Sequence, residues 1–147
     1  MRFETLRTML VHSAVNNWKL RQFDIKGAYL HRELEEEIYM AQAPGYTDGT
    51  DQVYLLIRAL YGLKQAGNVW NTKLTDVLTT LGYTQLKLDY CCYIQRDEGL
   101  LMPLFWVDNF ISISDDDKLN DWIETELKSH FEVKSLGQPS LIIGVKI

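Results

Sequence analysis

The stretch "FWVDNFISIS", Phe105–Ser114, places a polar dipeptide between two apolar, strand-like runs. Asp108 and Asn109 both tolerate the left-handed conformation that a two-residue hairpin loop requires. The stretch therefore predicts a β-hairpin with Asp108 and Asn109 at its tip. An aspartate in this position is either a turn residue alone or a carboxylate presented to a metal ion, and the stretch by itself leaves both interpretations open.

Composition and charge limit the class of protein. The chain has 147 residues, 46% of them hydrophobic and 24% charged, which is typical of one globular domain with a single core. Its 15 Lys and Arg against 20 Asp and Glu give a net charge of −5, which argues against tight, sequence-independent nucleic-acid binding by this chain alone. The longest apolar run, 100–107, is interrupted by Pro103 and is too short to cross a bilayer, so no membrane partner is expected.

The two cysteines and residues 1–10 indicate the cellular compartment of the chain. Cys91 and Cys92 are adjacent in a chain with no other cysteine, which excludes an ordinary structural disulfide or a four-ligand zinc site. Residues 1–10 include a glutamate and lack the apolar core of a secretory signal. Both features favour a reducing compartment, the cytoplasm or the nucleus.

Hydrophobic periodicity predicts the fold class. Helical spacing alternates along the chain with strand-like runs, and no repeat or linker divides residues 1–147. The predicted elements are helices at 2–17, 70–81 and 119–127, strands at 20–25, 37–40, 53–58, 90–96, 131–134 and 141–147, and a turn at 97–99. Within this set, 53–58 is expected to be a buried strand. The order predicts one α+β domain with an antiparallel sheet and helices packed on one face.

Asp24 is the second candidate for metal chemistry. It ends the predicted strand 20–25, where alternation places Phe23 and Ile25 on one face and Asp24 on the other. Nucleotidyl transfer requires two divalent ions and carboxylates that hold them. If the strand and the hairpin were neighbours, Asp24 and Asp108 could both point to the same open face of the sheet. Spacing alone favours a turn residue at position 108 and a helix cap or a solvated group at position 24.

Five blocks carry a more specific signal: "QFDIKGAYLHRELEEEIYM", "ALYGLKQAGNVW", "LGYTQLKLDYCCYI", "FWVDN" and "VKSLGQPSLIIGVKI". In content and order they resemble the reverse transcriptases of copia-type long-terminal-repeat retrotransposons. The resemblance implies the palm of a right-hand polymerase, with residues 1–147 forming the palm and most of the fingers, the thumb and ribonuclease H outside it. It implies an RNA-directed DNA polymerase that extends a primer.

The resemblance assigns a role to each matching residue. Asp24 and Asp108 match the carboxylates that hold two Mg²⁺ or Mn²⁺ ions, and Ile25 would lend its carbonyl to one ion. Lys134 matches the basic residue that protonates the pyrophosphate leaving group. The residues matched to nucleotide binding are Lys26, Gly27 and Ala28 in the turn beside the triphosphate, Tyr29 as the steric gate against a ribose 2′-OH, and Gln65.

The sequence departs from the family pattern at the hairpin. Asn109 stands where the family has a second aspartate, so a metal position is degenerate and catalysis is expected to be impaired. Trp106 replaces a tyrosine but keeps an aromatic surface that supports the primer end. Ala66-Gly67-Asn68 replaces Ala-Pro-Arg, which removes an arginine from the nucleotide side.

The implied partners are a primed RNA or DNA template, deoxynucleoside triphosphates and the rest of a retrotransposon polyprotein with integrase and ribonuclease H. The implied location is a cytoplasmic virus-like particle or the nucleus. A non-catalytic or repurposed palm that acts as a binding module is the alternative. A metal-dependent phosphohydrolase is disfavoured, because His12, His31 and His130 are scattered in no recognisable spacing.

Overall fold

The structure, a computed structural model, describes residues 1–97 and 99–147. Glu98, in the predicted turn at 97–99, lies outside the described residues. Elsewhere the chain forms helices α1 Phe3–Asn16, α2 Ala66–Thr80 and α3 Asp117–His130, with a short 3₁₀ turn at Ala28–His31. The strands are β1 Lys19–Ile25, β2 Tyr39–Ala41, β3 Val53–Leu55, β4 Thr84–Leu86, β5 Asp89–Ile94, β6 Leu101–Trp106, β7 Asn109–Ser114, β8 Val133–Gly137, β9 Leu141–Ile142 and β10 Val145–Lys146.

Six strands form one antiparallel sheet in the order β4-β5-β6-β7-β1-β8. Strand β1 therefore lies between β7 and β8, although both follow it by more than 80 positions in the chain. The pairs β2–β3 and β9–β10 form two separate ribbons. The predicted α+β fold with an antiparallel sheet is confirmed.

Side chains of β7 alternate between two hydrophobic cores, one on each face of the sheet. Phe110 belongs to the core under α2 and α3, which pack on one face as predicted. Ile111 and Ile113 belong to the other core, where α1 and the β9–β10 ribbon contribute Leu6 and Ile142. The first core includes Phe23, Ile25, Trp70, Leu74, Leu78, Tyr93, Phe105, Ile123 and Leu127. Helix α1 thus covers part of the face opposite α2 and α3.

The prediction of a buried strand at 53–58 is wrong. Strand β3 ends at Leu55, and all three of its residues are exposed. The physical reason is that, within residues 1–97 and 99–147, β3 pairs with β2 alone, and both strands of this ribbon are exposed. Apolar content alone does not show whether a strand joins the main sheet.

No helix among the described residues is both long and apolar enough to span a membrane. The adjacent residues Cys91 and Cys92 are free thiols on β5. Burial raises the pKa of the Cys92 thiol, so this cysteine stays protonated and behaves as a small core residue.

Asp116 caps the N-terminus of α3, and its replacement is expected to cost about 1 kcal/mol of unfolding free energy. Its carboxylate accepts a hydrogen bond from the Lys118 backbone N–H at 3.0 Å. Urea denaturation of Asp116→Ala measures the loss. Lys118→Ala is the control, because it keeps that N–H and should change stability by less than about 0.5 kcal/mol; equal losses in the two variants would contradict the capping role.

Candidate active site

The hairpin between β6 and β7 carries Asp108 in its loop. The register pairs Phe105 with Phe110 and Trp106 with Asn109, so the two loop residues are Val107 and Asp108. The predicted tip, Asp108 and Asn109, is therefore wrong by one position, and Asn109 begins β7. Burial of the paired phenylalanines in the core outweighs the local preference of Asn for a turn, which leaves Val107 with a φ of 55°.

Asp24 lies beside this hairpin at the end of β1. Its cross-strand partners are Asn109 on β7 and Lys134 on β8. The backbone N–H of Ile25 donates to the Asp108 carbonyl oxygen at 2.9 Å. Because directly opposed residues have Cβ atoms about 4.5–5.5 Å apart, Asp24 stands between an amide and an ammonium group. The fold thus brings Asp24, Ile25, Asp108, Asn109 and Lys134 together at one end of the sheet.

The side chain of Asn109 is engaged in two hydrogen bonds. Its Nδ2 donates to Asp108 Oδ1 at 3.2 Å, and its Oδ1 accepts from Gln22 Nε2 at 3.1 Å. The Asn109 amide therefore hydrogen-bonds to a carboxylate oxygen of Asp108, the candidate metal ligand, and adds no negative charge to the site. Sequence reasoning missed Gln22, although its position two residues before Asp24 on the same strand face is a signal that it borders the site.

Tyr61 is a second neighbour that sequence reasoning missed. Its ring centroid lies 4.5 Å from that of Tyr29, the predicted steric gate. Partial burial raises the pKa of the Tyr61 hydroxyl. The charges of Asp108 and Asp24 and the Tyr29 hydroxyl raise it further. Tyr61 therefore lies within range of the charges of both carboxylates, and its place in the "ALYGLKQ" block was the available signal.

The turn at 26–29 is anchored to residue 132. Lys26 donates its backbone N–H to the Glu132 carbonyl at 2.9 Å, and its Nζ lies 2.8 Å from Glu132 Oε1. This hydrogen bond and the Glu132 charge raise the pKa of Lys26, and the same interactions lower that of Glu132. Gly27 has a φ of 59°, and a Cβ there would meet the Leu30 side chain at 3.3 Å. The turn therefore requires glycine at 27, before the buried Ala28.

Gln65 and Trp106 lie at the edges of the predicted site. Gln65 precedes α2, and its Nε2 donates to Glu36 Oε2 at 2.8 Å, so in this structure its amide is paired with an acidic loop. Trp106 ends β6 opposite Asn109 and is 46% exposed. An exposed aromatic ring beside the hairpin tip is available to a ligand.

The donor set at this end of the sheet fits a hard cation. Among the residues that the structure describes, no group of three or more His, Cys, Asp or Glu side chains forms a metal cluster. The site instead offers the carboxylates of Asp24 and Asp108 and nearby backbone carbonyls. Magnesium prefers oxygen ligands and keeps several of its waters, so one or two protein carboxylates suffice.

Comparisons with known proteins identify the family that the chain is similar to. The family model described as reverse transcriptase (RNA-dependent DNA polymerase) matches residues 1–147. The chain is 32% identical over 151 residues to the retrovirus-related Pol polyprotein from transposon TNT 1-94 of Nicotiana tabacum, which covers 100% of this chain and 11% of that protein. It is 30% identical over 145 residues to the corresponding polyprotein from transposon RE1 of Arabidopsis thaliana, covering 97% of this chain and 10% of that protein.

A shorter relative is the putative transposon Ty5-1 protein of Saccharomyces cerevisiae, 28% identical over 127 residues, or 84% of this chain and 41% of that protein. The chain spans about a tenth of the two plant polyproteins. No solved structure matches it. The family model covers the whole chain and the resemblance of the five blocks is confirmed, so the chain belongs to the reverse transcriptase (RNA-dependent DNA polymerase) family of copia-type elements.

Proposed function

We propose that residues 1–147 are the palm of an RNA-directed DNA polymerase from a retrotransposon polyprotein, and that the palm adds deoxynucleotides to a primer by two-metal nucleotidyl transfer. The observation that carries this proposal is the register of β1 with β7. It sets Asp24 opposite Asn109 and bonds Ile25 to Asp108, so both candidate carboxylates lie at the same end of the sheet.

Asp24 and Asp108 would hold the ions, with the Ile25 carbonyl as a further oxygen ligand. Two Mg²⁺ or Mn²⁺ ions bound there would stabilise the attacking and leaving oxygens of the transfer. Lys134, exposed and opposite Asp24, is the candidate for donating a proton to the pyrophosphate leaving group.

The nucleotide would bind along the turn at 26–29. Gly27 permits close approach of the backbone N–H groups to the triphosphate. Lys26 would exchange its exposed ion pair with Glu132 for a phosphate oxygen, a change that costs little because such surface pairs are weak. Tyr29, held against Tyr61, would exclude a ribose 2′-OH by contact. The Gln65 amide would give up its hydrogen bond with Glu36 and contact the nucleotide instead. Trp106 would support the primer end.

Asn109 is the reason to propose that this copy is impaired. It removes one negative charge from the site and directs an amide N–H to Asp108. Because the net charge is −5, most of the affinity for a primed template would come from other parts of the longer polyprotein. A palm that binds nucleic acid or nucleotide without chemistry is the second candidate, and the Asn109–Asp108 hydrogen bond favours it.

Metal binding tests the proposal, with Mn²⁺ as the probe and electron paramagnetic resonance as the measurement. Asp24→Asn and Asp108→Asn should each weaken Mn²⁺ binding about tenfold, since ligand loss costs at least as much as loss of a supporting group. Asp51→Asn is the matched control, because Asp51 is exposed near β3, outside the site. Equal affinities in all four proteins would contradict the proposed metal site.

A further inference from the structure

Trp70 connects the core to the tip of the hairpin. It lies on α2 and is 2% exposed. Its indole Nε1–H donates to the carbonyl oxygen of Val107 at 2.7 Å. Val107 is a loop residue, so this carbonyl belongs to the turn that presents Asp108. A buried side chain from another element therefore holds the residue directly before the candidate metal ligand.

The residue that Trp70 holds is strained. Val107 has a φ of 55°, a conformation that is uncommon for any residue with a Cβ and an outlier for a β-branched one. Such conformations persist where the surroundings impose them. The bond from Trp70 is one such constraint, and the bond from the Ile25 N–H to the Asp108 carbonyl is a second.

The ring of Trp70 also reaches the support of the turn at 26–29. It packs in an aromatic trio with His31 and Phe131, at centroid distances of 5.9 Å and 5.3 Å. Because a carbonyl oxygen can only accept, the 2.8 Å contact between His31 Nε2 and the Lys26 carbonyl is a hydrogen bond donated by the imidazole. One buried indole thus contacts the hairpin directly and, through His31, the segment that follows Asp24.

We propose that Trp70 is a positioning residue, whose indole N–H fixes the strained turn at Val107 so that Asp108 is held beside Asp24. The effect on metal binding rests on the proposed function, whereas the effect on the conformation of the turn does not. The trio of His31, Trp70 and Phe131 joins the hairpin and the turn at 26–29 as one rigid support.

Hydrogen exchange of the Ile25 amide is a local measure of this support, since that amide donates to Asp108. In Trp70→Phe, which keeps an aromatic ring but lacks the N–H, the Ile25 amide should exchange about tenfold faster. Amides at the Lys19–Ser114 end of the same strand pair should change less than about twofold. Trp122→Phe is the control, because Trp122 lies on α3 and its ring contacts Tyr83, with a centroid distance of 6.3 Å.

Because Trp70→Phe also loses packing contacts of the larger indole ring, a second variant separates that loss from the loss of the N–H. Replacing Trp70 with 3-benzothienylalanine keeps the bicyclic shape and exchanges the N–H for sulfur, and it should give the same local acceleration. Equal acceleration at both ends of the strand pair would show a purely structural role and overturn the proposal, as would an unchanged Ile25 amide.

Mn²⁺ affinity is the functional measurement, and it should fall about tenfold in both Trp70 variants and stay constant in Trp122→Phe. If the unchanged chain and Asn109→Asp both fail to bind Mn²⁺, the proposed function fails, while the exchange result still decides the role of Trp70. If Mn²⁺ binds and neither Trp70 variant changes exchange or affinity, the positioning role fails and the proposed function stands.

Discussion

Asn109→Asp is expected to raise the affinity of this chain for Mn²⁺ by about 10- to 100-fold, the range over which groups around a bound metal typically act. The substitution replaces the amide that donates to Asp108 with a third carboxylate beside Asp24. Gln22 can still donate to the new side chain, because an aspartate oxygen accepts as the amide oxygen does. The hydrogen bond from Gln22 to residue 109 is therefore retained, while the side chain at 109 gains a negative charge.

The same substitution should make the stability of the fold depend on metal. Without a cation, adjacent carboxylates at 108 and 109 repel each other, so the variant should unfold at a lower temperature than the unchanged chain. Added Mn²⁺ should reverse this order, because a ligand that binds only the folded state stabilises it by mass action. Thermal melts across an Mn²⁺ titration measure both effects.

Gln52→Glu is the matched control for Asn109→Asp. It also adds one negative charge, at an exposed position directly before β3. It should leave Mn²⁺ affinity and the metal dependence of the melting temperature unchanged. Primer extension by Asn109→Asp, joined to the remaining polymerase segments of a relative, then tests whether the restored carboxylate also restores catalysis. No gain in affinity would overturn the view that Asn109 is a degenerate metal position.

Phe110→Ala is expected to have the largest effect on stability, a loss of about 3–5 kcal/mol in unfolding free energy. Phe110 follows Asn109 on β7, points to the opposite face and is 0% exposed. Its ring centroid lies 6.1 Å from that of Phe23, which also is fully buried. The variant loses the transfer free energy of the ring and leaves a cavity that the sheet and α2 cannot fill.

Thermal unfolding measures this loss, which corresponds to a decrease in melting temperature of roughly 6–20 °C for a domain of this size. Val15→Ala is the control, because Val15 is 75% exposed on α1 and should change stability by less than about 0.5 kcal/mol. A loss smaller than 1 kcal/mol would contradict the assignment of Phe110 to the core.

Local patterns predicted much of the fold. The helices α1, α2 and α3 lie within a few residues of their predicted bounds, because helical periodicity is a property of each segment. The cap of α3 is also a local feature, since Asp116 accepts a hydrogen bond from the backbone N–H two residues later. The strand at 53–58 was mispredicted, because a run of apolar residues shows that a segment favours extended structure and not which sheet covers it.

Some features of the site could also be predicted from the sequence, whereas others could not. The motif around Asp24 and the motif around Asp108 were recognisable from the chain alone, as were the turn at 26–29 and the substitution at Asn109. The exact hairpin loop was not, because the buried pairing of Phe105 with Phe110 moved the loop to Val107 and Asp108. Tyr61 and Trp70 were also missed, because packing between distant segments brings each of them to the site. Gln22 was missed although it lies close to Asp24 in the chain, because its hydrogen bond to Asn109 depends on the pairing of β1 with β7.

The amino-acid sequence is enough to assign the family of this chain, to locate its charged side chains and to identify the apolar face of β1. Those properties depend on residue identity and on short-range periodicity. The position of β1 between β7 and β8, with Asp24 flanked by Asn109 and Lys134, became visible in the folded chain and not before. The physical reason is that alternation specifies the face to which a side chain points, whereas the neighbour of a strand is selected by packing between segments distant in the chain.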